Sequence, residues 1–262
     1  MNPFVVLGGS GPVASQESAL IIEAVLLMLV IITPVLALLF YFAWRYRKGS
    51  GARWEPEWEH SRMDELVWWA VPVEVVLVLG ALAWQGTHAL DPHRALASSA
   101  PALTVEVVAL PWKWLFIYPA YGVASVNFAE IPAGVPVNFE ITADAPMNAF
   151  WVPALGGMIM AMPGMVNPLS LQADWPGDYQ GYSALYSGAG FADMRFSVRV
   201  RTESDFKAWL GFMRTVHEPL DQSAYELLAA PGTTTQMTFS NAAPGLFAGI
   251  VARFAEGGAH AH

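Results

Sequence analysis

The sequence predicts a membrane protein with three parts: a hairpin of two transmembrane helices, an all-β outer domain and a short helical C-terminal extension. Three observations predict this fold class. Only 13% of the 262 residues are charged, whereas soluble globular domains carry about 25%. Two long apolar windows lie near the N-terminus. Short β-like runs separated by Pro and Gly follow them.

Composition also excludes several classes of function. The chain contains no cysteine, which excludes disulfides, iron–sulfur clusters, thiolate-bound zinc and cysteine nucleophiles. Its formal net charge is −9. Nucleic acid is therefore not an expected partner, because phosphate binding requires a basic face.

The two apolar windows are residues 19–44 and 66–84. Each is long enough to cross a bilayer as a helix, because about 20 apolar residues span the roughly 30 Å hydrocarbon core. A signal peptide is the alternative for the first window, but no Lys or Arg precedes it and it is longer than a signal-peptide core. We therefore expect transmembrane helices at 18–45 and 63–87, preceded by an outer tail at 1–17.

Basic residues are concentrated between the two windows, and none precedes the first. Cytoplasmic loops of membrane proteins carry an excess of Lys and Arg, so we expect residues 46–62 to form a cytoplasmic loop. Both termini and the β domain are then expected on the periplasmic side of a bacterial inner membrane. The basic residues at this connector are Arg45, Arg47, Lys48, Arg53 and Arg62.

The composition changes after the second window. Residues 88–103 are typical of a linker, and residues 104–202 contain short strand candidates at a spacing that predicts a β-sandwich or Greek-key barrel. From 203 to 262 the pattern becomes helical and ends in a tail, and Thr202 or Ser204 can cap the first short helix. The strand candidates are residues 105–109, 112–118, 123–128, 135–142, 148–152 and 194–200.

Three stretches of the β region carry a resemblance to a known family. They are WKWLFIYP at 112–119, MNAFWVP at 147–153 and YSALYSGAGF at 182–191. Together with the helix hairpin, they resemble subunit II of the haem–copper respiratory oxidases over residues 16–256. Within that superfamily the chain is most similar to subunit II of the bo-type ubiquinol oxidases. The resemblance implies a cupredoxin-like fold, a Greek-key sandwich, for the outer domain.

The resemblance also implies where a copper centre would lie. In the cytochrome c oxidases, subunit II holds a dinuclear copper centre through two Cys, two His, one Met and a Glu carbonyl. Thiolate and imidazole are the ligands that suit copper, and this chain has lost them. Ser183 and Ser187 stand at the Cys positions, Asn148 and Phe191 at the His positions, Leu185 at the Glu position, and Met194 at the Met position. We expect these degenerate positions to bind no metal.

This loss agrees with a ubiquinol oxidase, because ubiquinol delivers electrons from within the membrane and needs no relay in an outer domain. The resemblance implies a non-redox subunit without its own cofactor, in a complex that oxidises ubiquinol, reduces dioxygen and pumps protons. Two haems, CuB and ubiquinone are expected in subunit I. The implied partners are subunits I, III and IV and membrane lipid, with no cytochrome c. The alternatives are subunit II of a cytochrome c oxidase and a membrane-anchored copper-handling protein.

Glu65 is the one candidate catalytic residue. It lies at the cytoplasmic start of the second window, and the resemblance implies that it stands at the entrance of the K-type proton pathway into subunit I. A carboxylate there can collect protons. The alternative is an acid that only complements the helix dipole, and Asp64 is the adjacent competitor. Glu74, deeper in the window, is interpreted as an acid at a packing interface.

Overall fold

The computed structural model describes residues 5–51, 62–92, 96 and 101–258. The chain divides into two compact units, one spanning residues 17–90 and the other joining the first 16 residues to everything from residue 91 onward. Arg53 of the predicted basic connector lies outside the described residues, as do parts of the predicted linker and C-terminal tail.

The first unit contains most of the long helix α1 (Pro12–Arg45) and all of α2 (Arg62–Ala89). Both are long and apolar enough to cross a membrane. A Cβ added to Gly86 of α2 would lie 2.7 Å from a methyl carbon of Leu20 in α1, so the absence of a side chain allows a close approach. α1 begins at Pro12, earlier than the expected span, because proline is well suited to the first position of a helix.

The second unit is a two-layer β-sandwich. In the described residues, eleven strands form it, with bounds β1 (Leu103–Leu110), β2 (Lys113–Tyr118), β3 (Val123–Val126), β4 (Phe128–Pro132), β5 (Val137–Ala143), β6 (Asn148–Trp151), β7 (Met158–Ala161), β8 (Asn167–Leu171), β9 (Gly177–Ser183), β10 (Arg195–Arg201) and β11 (Met237–Phe239). Sheet A has the order β11-β3-β2-β1-β5-β8, and sheet B has the order β4-β10-β9-β6-β7.

Two parallel pairs, β1 with β5 and β4 with β10, occur among otherwise antiparallel neighbours. The chain between the two members of each pair passes through the other sheet, and this connectivity confirms the predicted Greek-key, cupredoxin-like class. The core lies between the sheets, where Phe116 of sheet A meets Phe150 and Phe196 of sheet B. The rings of Phe150 and Phe196 stack with centroids 4.8 Å apart.

Two details of the predicted strands are wrong. The single strand expected at 123–128 is two strands in different sheets, because Asn127 adopts a left-handed backbone with φ of 59° and breaks the extended run. The strand expected at 112–118 begins one residue later, at Lys113, since Trp112 lies in the preceding turn with φ of 65°. Trp114 alone is in the core.

The C-terminal extension forms α3 (Glu203–Met213), α4 (Gln222–Ala229) and α5 (Leu246–Gly258). Thr202 caps α3, as expected, by accepting a hydrogen bond from the backbone N–H of Asp205 at 3.3 Å. Residues of α4, α5 and β11 form a second apolar core on the outer face of sheet A, together with Leu115 and Ile117 of β2. The extension is therefore an integral layer of the domain.

Candidate functional site

The candidate site lies at one end of the sandwich, where the loop between β9 and β10 (residues 184–194) meets the start of β6. Antiparallel pairing of β9 with β6 and β10 places the end of β9 beside Asn148 and the start of β10. Ser183 is the last residue of β9, and Met194 directly precedes β10. The sheet register thus gathers residues that are far apart in sequence.

Ser183 and Asn148 form the buried centre of this site. The Ser183 hydroxyl donates to Asn148 Oδ1 at 2.7 Å and lies 3.3 Å from the Leu185 carbonyl oxygen. The Asn148 amide in turn donates to the Pro146 carbonyl at 2.9 Å. Both side chains are buried, so these hydrogen bonds satisfy polar groups that would otherwise be costly to bury.

Ser187 and Met194 form a second contact within the same loop. The Ser187 hydroxyl lies 3.9 Å from the Met194 sulfur, a weak interaction. The backbone N–H of Ser183 donates to the Met194 carbonyl at 3.2 Å, which joins this contact to the Ser183–Asn148 pair. Hydrogen bonds within the protein therefore hold the loop in shape.

Trp112 closes one side of the loop. Its indole N–H donates to the Ser187 carbonyl at 3.0 Å. A Cβ added to Gly190 would lie 2.4 Å from the Trp112 ring, so the ring requires glycine at that position. The Trp112–Pro119 stretch alone does not reveal this role, because the contact spans 75 residues.

Phe191 forms an aromatic contact within the β9–β10 loop. Its ring contacts Tyr186 edge-on, with centroids 5.6 Å apart, and Tyr186 is 75% exposed. The Phe191 carbonyl accepts the backbone N–H of Met194 at 3.1 Å. The aromatic pair thus gives the outer rim of the loop an apolar surface.

The donor set at these six positions does not fit a dinuclear copper centre. The bridging positions offer serine hydroxyls, and the chain contains no cysteine to supply thiolates. The hydroxyl of Ser183 and the amide of Asn148 are engaged with each other. Met194 is the one thioether among the six, and a single soft ligand is a poor basis for a metal site.

Glu65 lies elsewhere, in the first turn of α2 beside Asp64. Its side chain is exposed in the isolated chain. Glu74 lies further along the same helix and is also exposed. These acids belong to the helical unit, whereas the other candidate residues belong to the β domain.

Proteins similar to this chain were found among curated sequences, although no protein-family model matches it. The cytochrome bo(3) ubiquinol oxidase subunit 2 of Pseudomonas aeruginosa is 40% identical over 275 residues, covering 99% of this chain and 83% of that protein. The ubiquinol oxidase subunit 2 of Acetobacter aceti is 42% identical over 255 residues, covering 96% of this chain and 83% of that protein. The quinol oxidase subunit 2 of Bacillus cereus is 39% identical over 240 residues, covering 91% and 82%.

Solved structures match parts of the chain. The periplasmic domain of subunit II of cytochrome oxidase from Bradyrhizobium japonicum is 25% identical, with a TM-score of 0.41, covering 44% of this chain and 96% of that one. A chain of a heme-copper terminal oxidase dimer is 17% identical, with a TM-score of 0.41, covering 53% of this chain and 99% of that one.

Proposed function

Because the chain belongs to the family of ubiquinol oxidase subunit 2, a subunit of an oxidoreductase complex, we propose that it is the non-redox subunit II of a proton-pumping ubiquinol oxidase. In this role it packs on a haem-bearing subunit I, with subunits III and IV and membrane lipid as further neighbours. Electrons pass from ubiquinol to dioxygen through two haems and CuB in subunit I, and they bypass the β domain of this chain.

The observation that carries this proposal is the hydrogen-bonded state of the degenerate positions. The Ser183 hydroxyl and Asn148 Oδ1 are hydrogen-bonded at 2.7 Å. Ser183 and Ser187, at the expected Cys positions, offer no thiolate. An electron relay from cytochrome c requires a metal at this place. A domain that fills the place with internal hydrogen bonds suits a complex that takes its electrons from the membrane.

The proposal includes an orientation. The basic residues next to the described ends of the two helices, Arg45, Arg47, Lys48 and Arg62, favour a cytoplasmic connector. The β domain then lies in the periplasm and the membrane is the bacterial inner membrane.

The proposal also gives Glu65 a role at the cytoplasmic entrance of a proton pathway into subunit I. Its place in the first turn of α2 and its exposure in the isolated chain support this role. A carboxylate at such an entrance takes up protons from water and passes them to the pathway.

Gentle purification of the complex, followed by haem spectroscopy, copper analysis and identification of the co-eluting chains, tests the function. We expect a haem-bearing partner chain, ubiquinol oxidase activity, and no copper bound to this polypeptide after the chains are separated. Isolation without a haem-bearing partner would contradict the proposal, and so would stoichiometric copper in this chain with a near-infrared mixed-valence band.

A further inference from the structure

A polar cleft lies at the end of the sandwich opposite the β9–β10 loop. β2 begins beside that loop at Lys113 and runs to Tyr118, and the turn that follows it forms one wall of the cleft. The segments after α3 and after β11 form the other walls. The cleft is open to solvent and has a volume of about 460 Å³, which is in the range of small-molecule sites. Its polar side chains are Tyr121, Arg214, His217, Ser240 and Asn241.

Most of these side chains are free to bind a ligand. Within the described ranges, the side chains of Arg214 and His217 make no ion pair or hydrogen bond, and neither do the Tyr121 hydroxyl and the Asn241 amide. Arg201 of the same domain, by contrast, lies 2.9 Å from a carboxylate oxygen. The cleft therefore presents unused hydrogen-bond donors around one space.

The charge of the cleft differs from that of its surroundings. From residue 88 onward the chain carries 14 acidic and eight basic residues, yet the described lining of the cleft includes Arg214 and His217 and no Asp or Glu. The Arg214 guanidinium has no carboxylate beside it in this lining, so it attracts an anion.

The hydrogen-bond donors that line the cleft favour a phosphate over a carboxylate. The Arg214 guanidinium offers a planar fork of N–H groups that matches two oxygens of a phosphate. The Tyr121 hydroxyl and the Asn241 amide supply further donors for the remaining oxygens. A carboxylate has only two oxygens and would leave several of these groups unused.

We propose that this cleft binds a phosphate-bearing anion, with Arg214 as the main contact and His217 and Tyr121 beside it. The inference goes beyond the role in the oxidase and does not depend on it. The same phosphate chemistry is present in free inorganic phosphate and in the head group of an anionic phospholipid, and the experiment separates these two sources.

The test uses the full chain in a maltoside detergent, with the His217 ring followed by NMR and assigned through His217→Gln. Inorganic phosphate and dihexanoyl phosphatidylglycerol below its micelle concentration are titrated separately, with sodium chloride at matched ionic strength as the blank. We expect a saturable shift of the His217 signal. Arg214→Gln should weaken the affinity about tenfold, because it removes a charge-assisted contact. The matched control Lys207→Gln, within helix α3 that directly precedes Arg214, should not change it.

The outcomes decide both the proposal and the source of the anion. Saturation by both compounds supports a site for the phosphate group itself, and saturation by the lipid alone supports a site for a phospholipid head group. The proposal is overturned if neither compound shifts the signal, if sodium chloride produces the same shift, or if Lys207→Gln weakens binding as much as Arg214→Gln. Thermal unfolding of both variants shows that a loss of binding is not a loss of fold.

Discussion

Serine and cysteine differ by one atom, and at residue 183 that atom determines which interaction holds the loop. A hydroxyl is a good hydrogen-bond donor and a poor ligand for copper. Ser183 accordingly donates to Asn148 at 2.7 Å in a fully buried contact. This hydrogen bond joins the end of β9 to the start of β6.

The first prediction concerns this contact. Ser183→Ala leaves Asn148 Oδ1 buried without its donor, so we expect the free energy of unfolding to fall by about 1–3 kcal/mol. Urea unfolding of the full chain, followed by tryptophan fluorescence, measures the change. The control Ser197→Ala alters a half-buried serine whose contact to Gln180 is 3.5 Å long, and we expect less than about 0.5 kcal/mol there. Equal effects in both variants would contradict the role of Ser183.

Glu65 provides a second prediction for a single side chain. Glu65→Gln keeps the size of the side chain and removes its ability to exchange a proton, so oxidase turnover should fall by on the order of tenfold, with haem content and subunit assembly unchanged. Quinol-driven oxygen consumption of the purified complex measures turnover. Asp64→Asn is the matched control at the neighbouring position. Unchanged turnover in Glu65→Gln, or an equal loss in Asp64→Asn, would rule out a specific role for Glu65.

Glu106 provides a third prediction, which concerns pH. It pairs with Glu140 across the parallel strands β1 and β5, and burial, with the neighbouring Glu140 carboxylate, raises the pKa of Glu106 to about 7. Between pH ~4.5 and ~7, the Glu106 carboxyl is therefore protonated in the folded chain and ionised in the unfolded chain. Stability should therefore decrease as pH rises through this window, by about 1–2 kcal/mol after allowance for solvent screening.

Glu106→Gln should remove this part of the pH dependence, because the amide does not titrate. Denaturant unfolding at a series of pH values from 4 to 8 measures it. Glu226→Gln, at an exposed acid in α4, should leave the slope unchanged. A slope that survives Glu106→Gln would show that another group titrates in this range.

Among the elements of the fold, the short helix α4 depends on a strand for its C-terminal end. Lys113 of β2 is 5% exposed and donates to the carbonyls of Leu228 and Ala230 at 2.7 and 2.8 Å. Burial lowers the pKa of its ammonium group. A cation at a helix C-terminus satisfies carbonyls that have no partner in the helix, and it interacts favourably with the negative end of the helix dipole.

We expect Lys113→Met to destabilise the domain by about 1–3 kcal/mol, because both carbonyls lose their donor while the apolar stem is kept. The loss of the contacts to α4 should increase the rate of amide hydrogen exchange more in residues 222–230 than in the central strands. Lys207→Met is the control, since Lys207 is an exposed partner of Glu203 on α3 and such pairs contribute about 0–1 kcal/mol. Uniform exchange across the domain would contradict a local role for Lys113.

The strands differ in how well the sequence could predict them. Strongly apolar or β-branched runs such as β1 and β5 were predictable, because their pattern matches that of buried strands. β7, β8 and β9 were missed, since Met, Pro, Gly and polar residues dominate them. Their strand conformation comes from pairing with β5, β6 and β10. The division of residues 123–128 depends on one left-handed Asn127, which no local hydrophobic pattern marks.

The six site positions were named from the resemblance alone, and their correspondence to a copper centre stays a prediction. The hydrogen bonds among them, and the ring of Trp112 on Gly190, are contacts between distant segments that require the folded sheet register. Lys113 was missed for the same reason, since its partners lie more than 100 residues away.

For the whole molecule, the orientation in the membrane can be tested with unusual simplicity because the chain contains no cysteine. A single introduced cysteine is then the only thiol of this chain. Ser50→Cys lies in the expected cytoplasmic connector, and Ser204→Cys lies at the start of α3 in the expected periplasmic domain. Both replace one small polar residue by another of similar size, so they form a matched pair.

We expect a membrane-impermeant maleimide to label Ser204→Cys in intact spheroplasts and to label Ser50→Cys only after the membrane is permeabilised. The physical reason is the cost of moving the basic cluster of Arg45, Arg47, Lys48 and Arg62 across the bilayer, which holds the connector on the cytoplasmic side. The cysteine-free chain is the blank for labelling. Labelling of Ser50→Cys in intact spheroplasts would reverse the orientation. Glu65, at the same end of α2, would then face the periplasm and could not admit protons from the cytoplasm.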